Sequence, residues 1–201
     1  GDDFWDDEES ELLAILMPRI VKGAQVAGAA TITAMELNYA LGIDWTQPSA
    51  AAVAWARRHA GDLVKGITDT TKGALHETLA AWLDTPGSTM GDLFGQLQEH
   101  YAFSEARAQA VAITEITRSY AEGEAAACRS GEELGLFTYR KSWRTCSDEL
   151  VCPRCSELDG QTADGIDGTE WTEAGEDVPR PPQHPRCRCF VTMEPIIPEE
   201  E

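Results

Sequence analysis

Two short stretches of the chain place soft metal ligands at chelating distance. Cys152-Pro-Arg-Cys155 has C-x2-C spacing, and His184-Pro-Arg-Cys187-Arg-Cys189 has H-x2-C spacing with one further thiol. Two such turns supply the four nitrogen and sulfur ligands of a tetrahedral structural zinc ion. The turns nearly repeat each other, as CPRC and HPRC. The proline after each first ligand fixes φ and stiffens the loop that must wrap the ion. Cys152, Cys155, His184 and Cys187 form the preferred set. Cys189 competes with Cys187 or His184, because alternate residues of a strand face opposite ways.

The segment between the turns is long and poor in apolar residues, so without an ion it has little to fold around. Disulfides or free thiols are the alternative, and disulfides need oxidising conditions. A thioredoxin-like redox pair is disfavoured, because no βαβ pattern surrounds the cysteines. A catalytic zinc keeps a position open for water. Five candidate ligands leave none, so the expected zinc is structural and the chain is read as a non-enzyme. Glu157 and Asp159 are the acids that a catalytic reading would recruit. His59, His76 and His100 sit in helical stretches with no second ligand at i+3 or i+4, and read as surface or packing residues. Cys128 is expected to be buried in a helix, and Cys146 to be a partly buried thiol.

Composition narrows the function classes. The 201 residues hold 16 basic and 35 acidic side chains, a formal net charge of -19. Strong nucleic-acid binding needs clustered Lys and Arg, and so does attraction to an anionic membrane; neither is expected. A partner with basic patches would be attracted. No unbroken run of about 18 apolar residues appears, so no transmembrane helix is expected. The start, GDDFWDDEESE, is the reverse of a basic signal peptide. A cytosolic, reducing history follows, which again favours metal over disulfides.

The elements that must position the ligands change character near residue 135. Before it the chain is rich in Ala and Leu; after it come Cys, Pro, Gly and Trp. The expected fold is α+β, mainly α: a helical bundle or hairpin array followed by a small zinc-stabilised β module. Residues 1–10 read as an acidic disordered leader, 11–134 as the helical domain, 135–194 as the Cys/His module and 195–201 as an acidic tail. Apolar residues recur at helical spacing from Ser10, with Pro18 expected to kink the pattern. A second helical stretch is expected after an N-cap at Ser49, weakened by Gly61, Gly66 and Gly73. A turn at Thr85–Ser88 separates it from a short helix. Ser104 is placed as the N-cap of a long helix that ends near Gly135. LFTYRKSWRT, with Phe137, Tyr139 and Trp143 for burial, and CRCFVTME read as two strands that pair antiparallel.

Taken together, these residues resemble one family. The stretch from Lys141 to Gln161 carries Trp143, Thr145, Asp148, Cys152, Cys155, Asp159 and Gly160. Pro181, Pro182, His184, Cys187 and Cys189 follow, and Thr114, Glu115, Arg118 and Tyr120 lie on the preceding helix. The pattern is similar to the C-terminal module of the phage Mu protein F-like family of head-morphogenesis, or minor capsid, proteins. Some members lack the C-x2-C pair, so the ion is read from this sequence itself.

The resemblance implies a minor head protein that works in virion assembly by associating with the portal protein and other capsid proteins. It also implies a role in DNA packaging or delivery for some members. Its place would be the virion, in the capsid interior or at the portal vertex, and the host cytoplasm during assembly. The resemblance stresses Glu115, Arg118, Trp143, Thr145, Asp148, Asp159 and Gly160, each with a structural reading. Glu115 and Arg118 pair at i, i+3. Asp148 caps the cysteine turn, Asp159-Gly160 makes a tight turn, and Trp143 supplies apolar mass beside the ion. Two other classes compete: a zinc-dependent hydrolase or nuclease, and a delivery module of a larger toxin-bearing protein. Neither an H-N-H nor an H-E-x-x-H pattern is present to support the first.

Overall fold

A computed structural model describes residues 2–40, 46–83, 89–99, 104–135, 138–171 and 178–196. The elements run α1 (Asp2–Tyr39), α2 (Thr46–Leu83), α3 (Met90–Glu99), α4 (Glu105–Glu133), β1 (Thr138–Arg144), α5 (Pro153–Leu158), β2 (Thr162–Asp164) and β3 (Phe190–Ile196). The fold is α+β and mainly helical, as expected, with the small sheet after the helices.

α1 packs on both α2 and α4, and α2 packs on α4. Ile20 of α1 is buried against Ala56 and Ala60 of α2, with Leu16, Met17 and Trp55 beside them. Ala24, Ala52 and Ala126 meet where all three helices converge. Small residues there let backbones approach. Gly123 faces Ala24 so closely that an added methyl would overlap the Ala24 carbonyl. A further cluster joins helices to sheet: Ile32 and Met35 of α1, Ala125 and Cys128 of α4, Tyr139 of β1, and Ile166. Each such buried aliphatic side chain contributes on the order of 2 kcal/mol.

Several helical boundaries differ from the sequence expectation. α1 begins at Asp2 and takes up the acidic stretch read as a disordered leader. Acidic side chains complement the positive end of a helix, so this stretch suits a helix start. Pro18 lies inside α1 without ending it. α2 begins at Thr46, so Ser49 is not its N-cap. Pro48 fits there because first-turn N–H groups have no intrahelical acceptor. Gly61, Gly66 and Gly73 do not break α2, whose buried Ala56, Ala60 and Val64 offset their weak propensity.

By length and composition alone, the segment Asp6–Asn38 of α1 is long and apolar enough to cross a membrane, with a mean hydropathy of 1.3 in its most apolar window. An unbroken-run criterion misses it, because Arg19, Lys22, Gln25 and Glu36 interrupt the apolar residues. His100, Phe137, the turn at Thr85–Ser88 and residues 197–201 lie outside the described residues.

The caps at both ends of α4 follow the sequence. Ser104 Oγ accepts from the Arg107 amide at 3.2 Å. Gly135, just past the C-cap, has φ +68°, which a side chain would resist. The sheet order is β2-β1-β3, both pairs antiparallel, with Trp143 opposite Val191 and Lys141 opposite Met193. β2 is a third strand beside the two expected, in the segment between the two cysteine turns. β3 runs on through Pro195 and Ile196, into the residues read as tail; a proline is tolerated on an edge strand. Lys141 is fully buried, and its Nζ donates to the carbonyls of Ile166 at 2.8 Å and Gly168 at 2.6 Å. Burial, reinforced by Arg180, pulls its pKa down to about 8.

Candidate metal centre

The first turn is built by the start of α5. Cys152 is its N-cap with extended backbone, and Pro153 sits where a helix start tolerates a missing N–H. The Cys152 Sγ accepts from the Cys155 amide at 3.3 Å. This places both thiols on the inner side of one helical turn. The second turn closes through the Cys187 amide on the His184 carbonyl at 3.1 Å, with Arg186 at φ +64°. Helix α4 holds this turn from behind. Thr114 Oγ1 accepts from the Arg186 amide at 2.9 Å, and Thr117 Oγ1 donates to the Cys187 carbonyl at 2.8 Å. Arg188 adds a two-pronged bond to Asp148 at 2.8 and 2.7 Å, tying the second turn to the approach of the first.

The turns meet. The His184 Nε2 lies 3.2 Å from the Cys152 Sγ and 3.1 Å from the Cys155 Sγ, and the Cys155 and Cys187 sulfurs are 4.0 Å apart. Two three-ligand groups result, Cys152–Cys155–His184 and Cys155–Cys187–Cys189, each with its atoms within 4.8 Å of one another. Cys155 belongs to both. All five expected ligands are thus drawn to one place, and the described cysteines are free thiols. Thiolate and imidazole donors at these separations could hold a soft, tetrahedral ion.

Electrostatics differentiate the thiols. A hydrogen bond from Cys189 is the main cause that brings the Cys187 thiol down to about 5. Burial, then the charge of Cys187, pushes Cys155 up to about 12. Cys189 is raised, chiefly through its bond to Cys187 and its burial. Burial pulls His184 down, but the Pro185 carbonyl and the neighbouring thiolates outweigh it and leave it raised.

The module packs around the turns. Trp143 is buried and meets Trp171 edge-on with centroids 5.4 Å apart, and Leu158, Val191, Cys155 and Cys187 share their cluster. Asp148 Oδ1 accepts from the Leu150 amide at 3.1 Å, a local cap. Asp159 Oδ1 accepts from the Thr145 amide at 2.8 Å, and Gly160 takes φ +83° in the turn that follows. Glu157 is exposed, and the Asp159 carboxylate is engaged with backbone. Cys146 is exposed, not partly buried as expected, and its thiol reaches the Arg188 carbonyl at 3.1 Å.

Glu115 and Arg118 do pair, at 3.5 Å, but the closer partner of Glu115 is His59 of α2. His59 also stacks on Trp55 at 4.9 Å. Its partner lies 56 residues away, a separation that a search at i+3 and i+4 does not reach. Arg180 is a second such residue. It bridges Glu122 of α4, at 2.9 Å, and Asp167 of the module.

The fold and site define a helical scaffold whose last long helix braces a compact Cys/His module. Residues 84–192, more than half of the chain, match the family described as Phage Mu protein F like protein. The chain belongs to this family, one of phage head morphogenesis. No curated protein and no solved structure matches it.

Proposed function

We propose that the protein is a minor head protein that acts in virion assembly by binding the phage portal protein and other capsid proteins, without catalysing a reaction. On this reading it resides in the capsid interior or at the portal vertex, enters from the host cytoplasm during assembly, and serves DNA packaging or delivery. The observation that carries it is the family match spanning α4 and the Cys/His module together. The helical residues 11–134 then supply docking surfaces, and residues 135–194 form the rigid brace.

The brace holds one structural zinc ion through Cys152, Cys155, His184 and Cys187, with Cys189 as the surplus thiol. The 4.0 Å separation of the Cys155 and Cys187 sulfurs supports a site that joins the two turns. Glu115, Arg118, Trp143, Thr145, Asp148, Asp159 and Gly160 act structurally on this reading. The engagement of Asp159 with the Thr145 amide speaks against a hydrolytic acid beside the ion. The net charge of -19 supports a partner with basic patches and disfavours packaged DNA itself as the ligand.

The test is co-expression with the portal and capsid proteins of the same phage, followed by co-purification under assembly conditions. Stable association with the portal is expected. Its absence, or tight binding to duplex DNA at physiological salt, would overturn the reading.

A further inference from the structure

The strand pairing leaves one edge of the sheet open beside α1. Within β1, the Trp143 amide and carbonyl bond toward Gln161 and Gly160, and the Tyr139 carbonyl accepts from Gly165. These groups point to the β2 side. Hydrogen-bonding direction alternates along an antiparallel strand. Arg140 and Ser142 therefore point to β3, opposite Glu194 and Thr192. It follows that Val191 and Met193 direct their N–H and C=O groups away from β1, and Pro195 its C=O. Pro195 sits where its missing N–H costs no bond to β1.

A groove runs along this open edge. Its first part, of about 510 Å³, lies between α1, α4 and residues 188–192. A second part, of about 330 Å³, continues past Met193 and Pro195. Both are lined by Ala30, Thr31 and Glu124, so the two are contiguous. The walls are apolar, and Val26, Ile116, Tyr120 and Phe190 are exposed on them. The small side chains of α1 keep room beside the strand.

The groove has one acid that no base pairs. Glu124 makes no hydrogen bond or ion pair among the described residues, and burial lifts its carboxyl to about 7 despite Arg180 nearby. Arg188, the other charged lining residue, is held by Asp148.

We propose that this groove receives an extended segment of a partner protein, added as a strand on the free edge of β3, with a Lys or Arg reaching Glu124 and apolar side chains two residues to either side. Strand addition draws affinity from main-chain bonds and specificity from alternate side chains. The occupant is a foreign segment. A second copy would bring its own β3, which carries Glu194 and no base, onto a chain of net charge -19. This inference rests on the reading that the protein works by association, and it names the surface used.

A random library of extended peptides of about seven residues, displayed on phage, tests it against the full-length protein. Enriched peptides are expected to carry one Lys or Arg flanked at i-2 and i+2 by apolar residues. Their affinity is expected to fall about tenfold with Glu124→Gln, and by a similar factor with Met193→Pro, which removes an outward N–H without touching the bonds to β1. Hydrogen exchange should show the Val191 and Met193 amides exchanging fast in the free protein and slowly in the complex. No enrichment of this pattern, binding indifferent to both substitutions, or protection of those amides in the free protein would overturn the inference. If the portal associates equally with wild type and both variants, the inference fails and the head-assembly reading stands. If such peptides bind while no head protein associates, the reading fails and the groove stands.

Discussion

Gly123 of α4 presses on the backbone of Ala24 in α1, leaving no space for even a methyl group at position 123. This contact sets how closely the two helices pack, and both flank the module and the groove. Gly123→Ala is expected to destabilise the fold by about 2 to 3 kcal/mol, since backbone must move to relieve the overlap. Gly23→Ala meets mainly the movable Ser119 side chain and should be milder. Urea unfolding of the two variants measures the difference; equal effects would refute this account.

The metal reading has its own test at single thiols. Cys152→Ser is expected to abolish zinc binding and open residues 138–196 to protease, while the helices survive. Cys189→Ser should retain the ion. Metal analysis with thiol counting, on protein purified under reducing conditions, decides it. Unchanged zinc content in Cys152→Ser would reject the ligand set.

His59 and Glu115 join α2 to α4 across a partly buried polar contact, with Arg118 on the same carboxylate. Removing the acid leaves the His59 ring and the Arg118 guanidinium facing a gap. Glu115→Ala should therefore cost about 2 kcal/mol, with a coupling to His59→Ala of about 1 kcal/mol in a double-mutant cycle. Strictly additive single effects would show that the pair contributes no interaction of its own.

Glu124 should leave a mark on the pH dependence of stability. Its folded pKa is raised, from 4.5 to about 7, by burial. The folded state therefore binds the proton more tightly than the unfolded state between these values. Its contribution is fully present below pH 4.5 and is lost as pH rises through 7. Glu124→Gln removes that dependence, and at pH 8 the variant should be more stable than wild type by on the order of 2 kcal/mol. Thermal unfolding from pH 5 to pH 8 checks the sign; parallel curves for the two proteins would contradict it.

Much of this was legible in the residues because it is local. Ser104 caps α4 through a bond three residues away, Gly135 takes the backbone angle that ends it, and CPRC carries its own helix start. Period and cap chemistry declare such features without reference to the rest of the chain. Helix length was less legible: α1 continues through Pro18, and α2 through three glycines, because packing between helices outweighs weak propensity. The spacing of Cys152, Cys155, His184, Cys187 and Cys189 likewise named the candidates before any fold was known.

What tertiary structure alone decided is what depends on distant partners. The meeting of the two turns relies on Thr114 and Thr117, roughly 70 residues before the carbonyl and amide they hold. The burial of Lys141, the pairing of His59 with Glu115 and the Arg180 bridge all join elements whose separation in sequence carries no period. The ligand types were set by short-range spacing. Their convergence, and the open edge of β3 beside Glu124, follow from how helices and sheet stack, which no local pattern encodes.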